Sequence, residues 1–354
     1  MSKLRRVMLA AALVMSTLPV LYGGHASALP RGTRVQTYKG GLAFPVDMAW
    51  VPGTKRIFYT EKNSGKIRIL QGRKLKKRAC ANLDVNSAGE RGALGIALHP
   101  KFKRNHRLYV FYTNASPLEN RVSRFKVVNG RCTNRRHIVR GLSAASSGYH
   151  NGGQLEFVRG RLFVSTGEAH SPSEAQDRNN RLGKILRYNA NGTVPDSNPF
   201  GNRNAVWSYG HRNPFGLAHK PGTGVIYQTE NGPDCDDEFN IIKKGRNYGW
   251  GSGYNCGTAG VGPNPKRPEV RWSNIIVPTD PTYYRGRLRR LSGDVYVGDF
   301  GGSLHRLVVG RKGRNVKQDR TIHNADNGLT DVSKGPGGWL YFATSNGILR
   351  IVRS

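Results

Sequence analysis

Residues 56–70 read RIFYTEKNSGKIRIL. A β-branched and aromatic run, Ile57 to Thr60, is followed by the turn-forming Asn63-Ser64-Gly65 and a second apolar run at Ile67, Ile69 and Leu70. Such side chains suit a pleated, half-buried surface, and Asn and Gly accept the backbone angles of a tight turn, so the stretch reads as a β-hairpin. The pattern returns five times. It appears as RLYVFYTN…NRVSRF from Arg107, RLFVSTGEA…GKILRY from Arg161 and GVIYQTENG…EFNII from Gly224, then as DVYVGDFGGSLHRL from Asp294 and WLYFATSNGILRI from Trp339. The starts lie about 45 to 70 residues apart. A lone hairpin cannot bury its apolar face, so recurrence at this period implies stacked units. Four-stranded blades around a channel fit the spacing, and the expected fold is all-β, a six-bladed β-propeller, in one domain over 35–354. A β-sandwich is the alternative, but it seldom repeats one unit six times.

Composition narrows the setting. The chain carries 56 Lys+Arg against 22 Asp+Glu, a formal charge of +34. The basic residues are spread along its length, with local clusters only at GRKLKKR (72–78) and GRKGRNVKQDR (310–320), and no nucleic-acid-binding motif accompanies them. They therefore read as a generally basic surface, suited to loose attachment to an anionic cell-wall polymer, with no nucleic acid as partner. Residues 1–28 have the form of a cleavable export signal: Lys3, Arg5 and Arg6, an apolar run from Val7 to Leu21, and Ala26-Ser27-Ala28. The run is short for a membrane span, so a secreted protein starting near Leu29 with a charge of about +31 is expected. An even count of cysteines in such a chain favours disulfides. Pairing by proximity gives Cys80–Cys132 and Cys235–Cys256.

Three segments carry more special residues than blade packing needs: GERGALGIALHPKF (89–102), YHNGGQLEF (149–157) and YGHRNPFGLAH (209–219). Each sets charged or imidazole groups beside glycine at a strand edge. A fourth, YQTENGPDCDDEFN (227–240), gathers Glu230, Asp234, Asp236, Asp237 and Glu238, five of the 22 acids, within nine residues.

In this order the four segments resemble the soluble quinoprotein glucose/sorbosone dehydrogenases, propellers that use pyrroloquinoline quinone (PQQ) and calcium. That family is itself related to the Hedgehog-interacting proteins, which share the scaffold. The resemblance extends from about Gly41 to Ile351. It implies that His150 is the base taking the proton of a sugar C1 hydroxyl while hydride passes to the quinone, a role suited to an imidazole that titrates near neutrality. It places Glu168 where a carboxylate orients that base, with Glu here in place of the shorter Asp. Arg212 and Asn213 fall at positions that contact the cofactor and stabilise its reduced form. Glu90 stands where the family often has Gln near the sugar, and Gln176 falls at the substrate end of the pocket.

The same resemblance gives the carbonyls of Gly232 and Pro233 to the calcium that chelates the quinone. Glu238 and the Tyr248 carbonyl go to a second, structural calcium. Oxygen donors of this kind suit a hard cation, although the spacing is not that of an EF-hand. Beyond Trp272 the match thins. Positions that hold cations for the quinone carboxylates are occupied here by Phe300, Gly328 and Thr330, with Arg306 or Lys334 as substitutes. Two functions follow. One is an exported PQQ- and calcium-dependent dehydrogenase acting on a small sugar and passing electrons to an external acceptor. The other is a calcium-stabilised, non-catalytic propeller that binds carbohydrate or wall polymer.

Overall fold

The computed structural model describes residues 29–354, and the proposed export signal lies outside them. Six antiparallel sheets follow one another along the chain. In blade 1 the strands are Pro45–Trp50, Arg56–Glu61, Lys66–Gln71 and Lys74–Leu75, with Ala81–Asn82 also pairing on the third. Blade 2 uses Ala93–Leu98, Arg107–Asn114, Glu119–Val128 and Arg131–Leu142. Blade 3 uses Gly152–Val158, Arg161–Thr166, Lys184–Tyr188 and Val206–Tyr209, and blade 4 uses Pro214–His219, Ile226–Glu230, Asp237–Ile242 and Val270–Trp272. Blade 5 comprises Pro278–Tyr284, Asp294–Asp299, Ser303–Val309 and Val316–Asn324. The last sheet takes three strands from the end of the chain, Leu329–Lys334, Leu340–Thr344 and Gly347–Arg353, and its fourth, Thr33–Gly40, from the start. All six hairpins read from the sequence are the second and third strands of a blade.

The first strand of each blade packs beside the first strand of the next, and the ring closes between blades 6 and 1. Hydrophobic packing shows why blades stack. The buried apolar residues fall into six clusters, one at each interface between successive blades. Between blades 1 and 2, for example, Phe58, Ile67 and Ile69 meet Ile96, Leu108 and Val110. Inner strands are covered on both faces, which is why Arg56–Glu61 is buried at five consecutive residues instead of alternating. Both expected disulfides form. Cys80–Cys132 ties the edge of blade 1 to the outer strand of blade 2, and Cys235–Cys256 closes the acidic loop of blade 4.

Strand direction sorts the loops. The residues leading into each first strand and the turns between second and third strands share one end of the ring. That end holds Phe44, Glu90, His150, Arg212 and Asn213 together with Lys62, Glu168, Asn231 and Phe300. Arg306 and Lys334 do not join them. Arg306 is paired at 2.6 Å with Asp294, the first residue of a strand that begins at the opposite end, and Lys334 terminates a first strand there.

Blade 5 contains an internal ion cluster whose charge depends on pH. His305 lies between Asp299 at 3.1 Å and Asp319 at 3.2 Å, and Trp272 Nε1–H donates to Asp319 at 2.7 Å. Burial disfavours the imidazolium, but the two carboxylates outweigh it and hold His305 up at about 9. An unfolded histidine titrates near ~6.5. The raised native value means that this stabilisation is complete below ~6.5 and is lost as pH rises through about 9. Urea melts from pH 6 to 10 should show the wild type losing about 3 kcal/mol relative to His305→Gln over that window. Parallel curves for the two proteins would refute the assignment.

Candidate active site

His150 precedes the first strand of blade 3 with φ of 55°, a left-handed conformation uncommon outside glycine. Close approach of chains fixes it there. A Cβ on Gly167 would lie 2.1 Å from the His150 carbonyl oxygen, so only glycine lets the loop after Thr166 pass beneath it. That loop delivers Glu168, whose Oε1 accepts from His150 Nδ1 in a short contact. Both side chains are buried. With the Nδ1 proton directed to Glu168, the lone pair of the neutral ring lies on Nε2. His170, two residues on, stacks on His150 with centroids 4.1 Å apart and planes 12° apart.

Neighbouring blades complete the group. Glu90, from blade 2, accepts the His150 backbone N–H at 2.8 Å and both of its oxygens accept from Asn213 Nδ2, at 3.0 and 3.2 Å. Asn213 Oδ1 accepts the Gly152 N–H at 3.1 Å, so one buried amide ties blades 2, 3 and 4 together. Burial raises the Glu90 carboxyl above its ordinary range, against the pull of His150 and Asn213. Arg212 Nη1 donates to the carbonyls of Asn231 at 3.1 Å and Gly232 at 2.6 Å, and its guanidinium lies 5.3 Å from the Trp250 ring centroid. Desolvation lowers its pKa while Glu168, Glu90, Glu230 and Asp237 oppose the shift.

The structure thus brings His150, Glu168, Glu90, Arg212 and Asn213 together. Gln176 stands apart from this set: its amide donates to Asn247 Oδ1 at 3.0 Å and the Trp250 carbonyl at 2.5 Å, fastening the loops behind Arg212. Gly232, Pro233, Glu238 and Tyr248, divided in the sequence reading between two ions, line one small cavity of about 10 Å³ with Glu230 and Asp236. That is room for about one water or ion. Burial, with Glu230 nearby, pushes Glu238 well above the carboxylate range. The Gly232 carbonyl, expected to hold the cofactor's cation, accepts from Arg212 in this structure.

Several participants went unremarked in the sequence. Glu230 was counted only among the clustered acids, yet its carboxylate accepts from the Arg212 N–H and from His211 Nδ1 at 2.8 Å. Asp237 accepts the backbone N–H groups of Gly232, Ile276 and Val277 at 2.7–2.8 Å and so shapes the Gly-Pro loop. Lys62 lies over the Phe44 ring at 5.7 Å, and Glu90 and Arg91 act on its charge. The signals were faint: His170 in STGEAH and Lys62 in TEKN are single polar residues in turns. Of the three positions where cations are missing, Thr330 is buried and donates to the Pro45 carbonyl at 2.8 Å. Phe300 is exposed and stacks on Phe44 at 6.4 Å, and a Cβ on Gly328 would sit 2.5 Å from the Phe300 carbonyl oxygen. Packing, not charge, fills this side of the mouth.

A propeller with an imidazole–carboxylate pair and an arginine at one end of its channel defines a class that the comparisons specify. The family model for Glucose / Sorbosone dehydrogenase matches residues 42–353, and the chain belongs to that family. Among relatives, it is 30% identical to the aldose sugar dehydrogenase YliI of Escherichia coli over 345 residues, 90% of this chain and 91% of the relative. It is 32% identical over 239 residues, 58% of this chain, to half the length of the quinoprotein glucose dehydrogenase B of Acinetobacter calcoaceticus. The PQQ-bound aldose sugar dehydrogenase of Streptomyces coelicolor superposes with a TM-score of 0.78 at 28% identity, covering 92% of this chain and 99% of that one.

The Gly167–His150 approach is testable without any assay of turnover. Gly167→Ala should cost about 1–3 kcal/mol in urea unfolding, as overpacking does, and shift the His150 imidazole NMR signals. Gly224→Ala, whose Cβ would meet nothing closer than 3.5 Å, should do neither.

Proposed function

We propose that the protein is an exported PQQ-dependent dehydrogenase that oxidises an aldose or related sugar at C1. The observation that carries this reading is the buried His150–Glu168 pair facing Arg212 at the mouth of the channel. Three polar atoms there, Arg212 Nε, Glu168 Oε2 and Asn231 Oδ1, are buried without a partner in the protein. Unpaired buried groups of this kind are costly, and a bound polar ligand would satisfy them.

PQQ, when bound, supplies a two-electron acceptor for the hydride of the sugar C1–H bond. His150 Nε2 takes the C1 hydroxyl proton, and Glu168 holds the Nδ1–H so that the imidazolium formed stays oriented and paired. Loss of that proton and of the C1 hydride would release the sugar as its lactone, and an external acceptor would be needed to take the electrons. Arg212, from blade 4, and Lys62, from blade 1, would hold the anionic cofactor, and the exposed Tyr149 and Phe300 give the mouth flat apolar surfaces. Asn213 fixes Glu90 at the sugar end. Glu230, Glu238 and Asp236 with the Pro233 and Tyr248 positions would hold a calcium ion, because buried carboxylates crowded around a cavity of this size favour a hard cation, although the Arg212 guanidinium lines the same cavity and holds the Gly232 carbonyl. Such a cation would be a Lewis acid close to the cofactor pocket. Among the described residues no helix is long and apolar enough to cross a membrane. The excess of basic residues supports a surface resting on an anionic wall polymer.

The packing of Phe300, Gly328 and Thr330 favours the second reading, a propeller that binds carbohydrate without redox chemistry, and one experiment separates the two. Purified protein titrated with PQQ and Ca²⁺ should bind quinone, read by its absorbance and by quenching of tryptophan fluorescence. It should then reduce a dye with aldoses. His150→Ala should keep the quinone and lose turnover by about 10²-fold or more. No quinone binding at micromolar concentration would leave the carbohydrate-binding reading in its place.

A further inference from the structure

The first strands of the six blades share a feature at one depth in the channel. Each breaks its pairing register once near its third residue. Those third residues are Asp47, Gly95, Gln154, Gly216, Asp280 and Asp331. The two glycines let the neighbouring blades in: a Cβ on Gly95 would lie 2.6 Å from Gln154 Oε1, and one on Gly216 would lie 2.7 Å from the Asp280 Cα. The ring about the axis therefore consists of three carboxylates and one amide.

Oxygens of Asp47, Asp280 and Asp331 lie within 4.8 Å of one another. Some of their lone pairs are engaged. Asp47 accepts the Met48 and Ile96 N–H groups, both at 2.6 Å, and Asp280 accepts the Leu217 N–H at 2.8 Å. Asp331 Oδ2 has no partner, although the residue is 1% exposed. The Gln154 amide bears on Asp47 and Asp280, and Glu156 adds negative charge near Asp47. None of the three carboxylates forms an ion pair with a lysine or arginine among the described residues. Burial and mutual repulsion accordingly raise all three carboxyls above their ordinary range.

We propose that this axial ring is a divalent-cation site, filled by Ca²⁺ and held by Asp47, Asp280 and Asp331. It is distinct from the cavity at Glu230 and Glu238. Hard, all-oxygen donors select such an ion, and oxygens bound to one Ca²⁺ at about 2.3–2.6 Å stand no more than about 5.2 Å apart, a limit that the three carboxylates satisfy. The ion meets the orphaned Asp331 oxygen and offsets charge that no ion pair within the protein neutralises. Asp280 is the most exposed of the three, so it marks the side from which an ion and its water ligands would enter. Its place is structural: it joins blades 1, 5 and 6, the segment of the ring where the two ends of the chain meet.

The test is a count of bound calcium on the full protein. After chelation and dialysis against ⁴⁵Ca²⁺, the wild type should bind one equivalent more than Asp331→Asn or Asp280→Asn, and its thermal midpoint should rise further with added Ca²⁺. Glu238→Gln should keep the axial equivalent and lose only the one at the mouth, so failure of either site is read separately. Wild-type crystals soaked in Tb³⁺ should show anomalous density on the axis, a measurement that holds even if the Asn variants do not fold. Equal calcium counts in wild type and Asn variants, or no anomalous peak among the three aspartates, would overturn the proposal in favour of carboxyls sharing protons.

Discussion

Ring closure is the constraint on which the rest depends. Five interfaces join blades that follow one another in the chain, but the sixth must join its two ends. The strand Thr33–Gly40 does so by pairing with Gly347–Arg353. Tyr38 then packs edge-on against Tyr341 at 5.1 Å and meets Trp50 of blade 1 at 6.0 Å. Without that sheet the first strands would be free to splay, because each is held from the sides by its neighbours. The site inherits its precision from the closed ring. Glu90 reaches a backbone N–H 60 residues away and an amide 123 residues away, and those contacts exist only while blades 2, 3 and 4 keep their spacing.

What the sequence disclosed follows from what is local. A hairpin is written in adjacent residues, so all six second-and-third strand pairs were legible, and with them the blade count. His150, Arg212 and Asn213 drew notice because each sits in a glycine-marked entrance to a first strand, and the family resemblance gave them and Glu168 their expected roles. The rest was hidden by distance. Nothing beside Gln176 reveals that Asn247 and Trp250 engage it, 71 and 74 residues on. Likewise, the resemblance divides Gly232 and Glu238 between two ion sites, while the turn folds both onto one cavity. Asp47, Asp280 and Asp331 attract no notice singly; only their common third position on inner strands makes them a group.

The acids of this basic chain are not distributed as the bases are. Among the described residues, ten of the 22 Asp and Glu are buried, from Asp47 to Asp331, against three buried bases, Arg91, Arg121 and Lys184. The exterior is therefore more uniformly positive than the formal charge suggests, and the negative charge is drawn toward the mouth and the channel. Burying a carboxylate is expensive unless something pairs it. His150 and Arg212 serve Glu168, Glu90 and Glu230 at the mouth, and His305 serves Asp299 and Asp319 in blade 5. Two places are less fully paired: Glu238 at the cavity in blade 4, which accepts from the neutral Asn240 amide, and the three carboxylates on the axis. Both are lined by oxygen and lie where water can reach, so cations from outside would complete what the chain's own bases do not. On this view the excess of lysine and arginine serves the surface, and the stability of the interior depends on ions that the sequence does not encode.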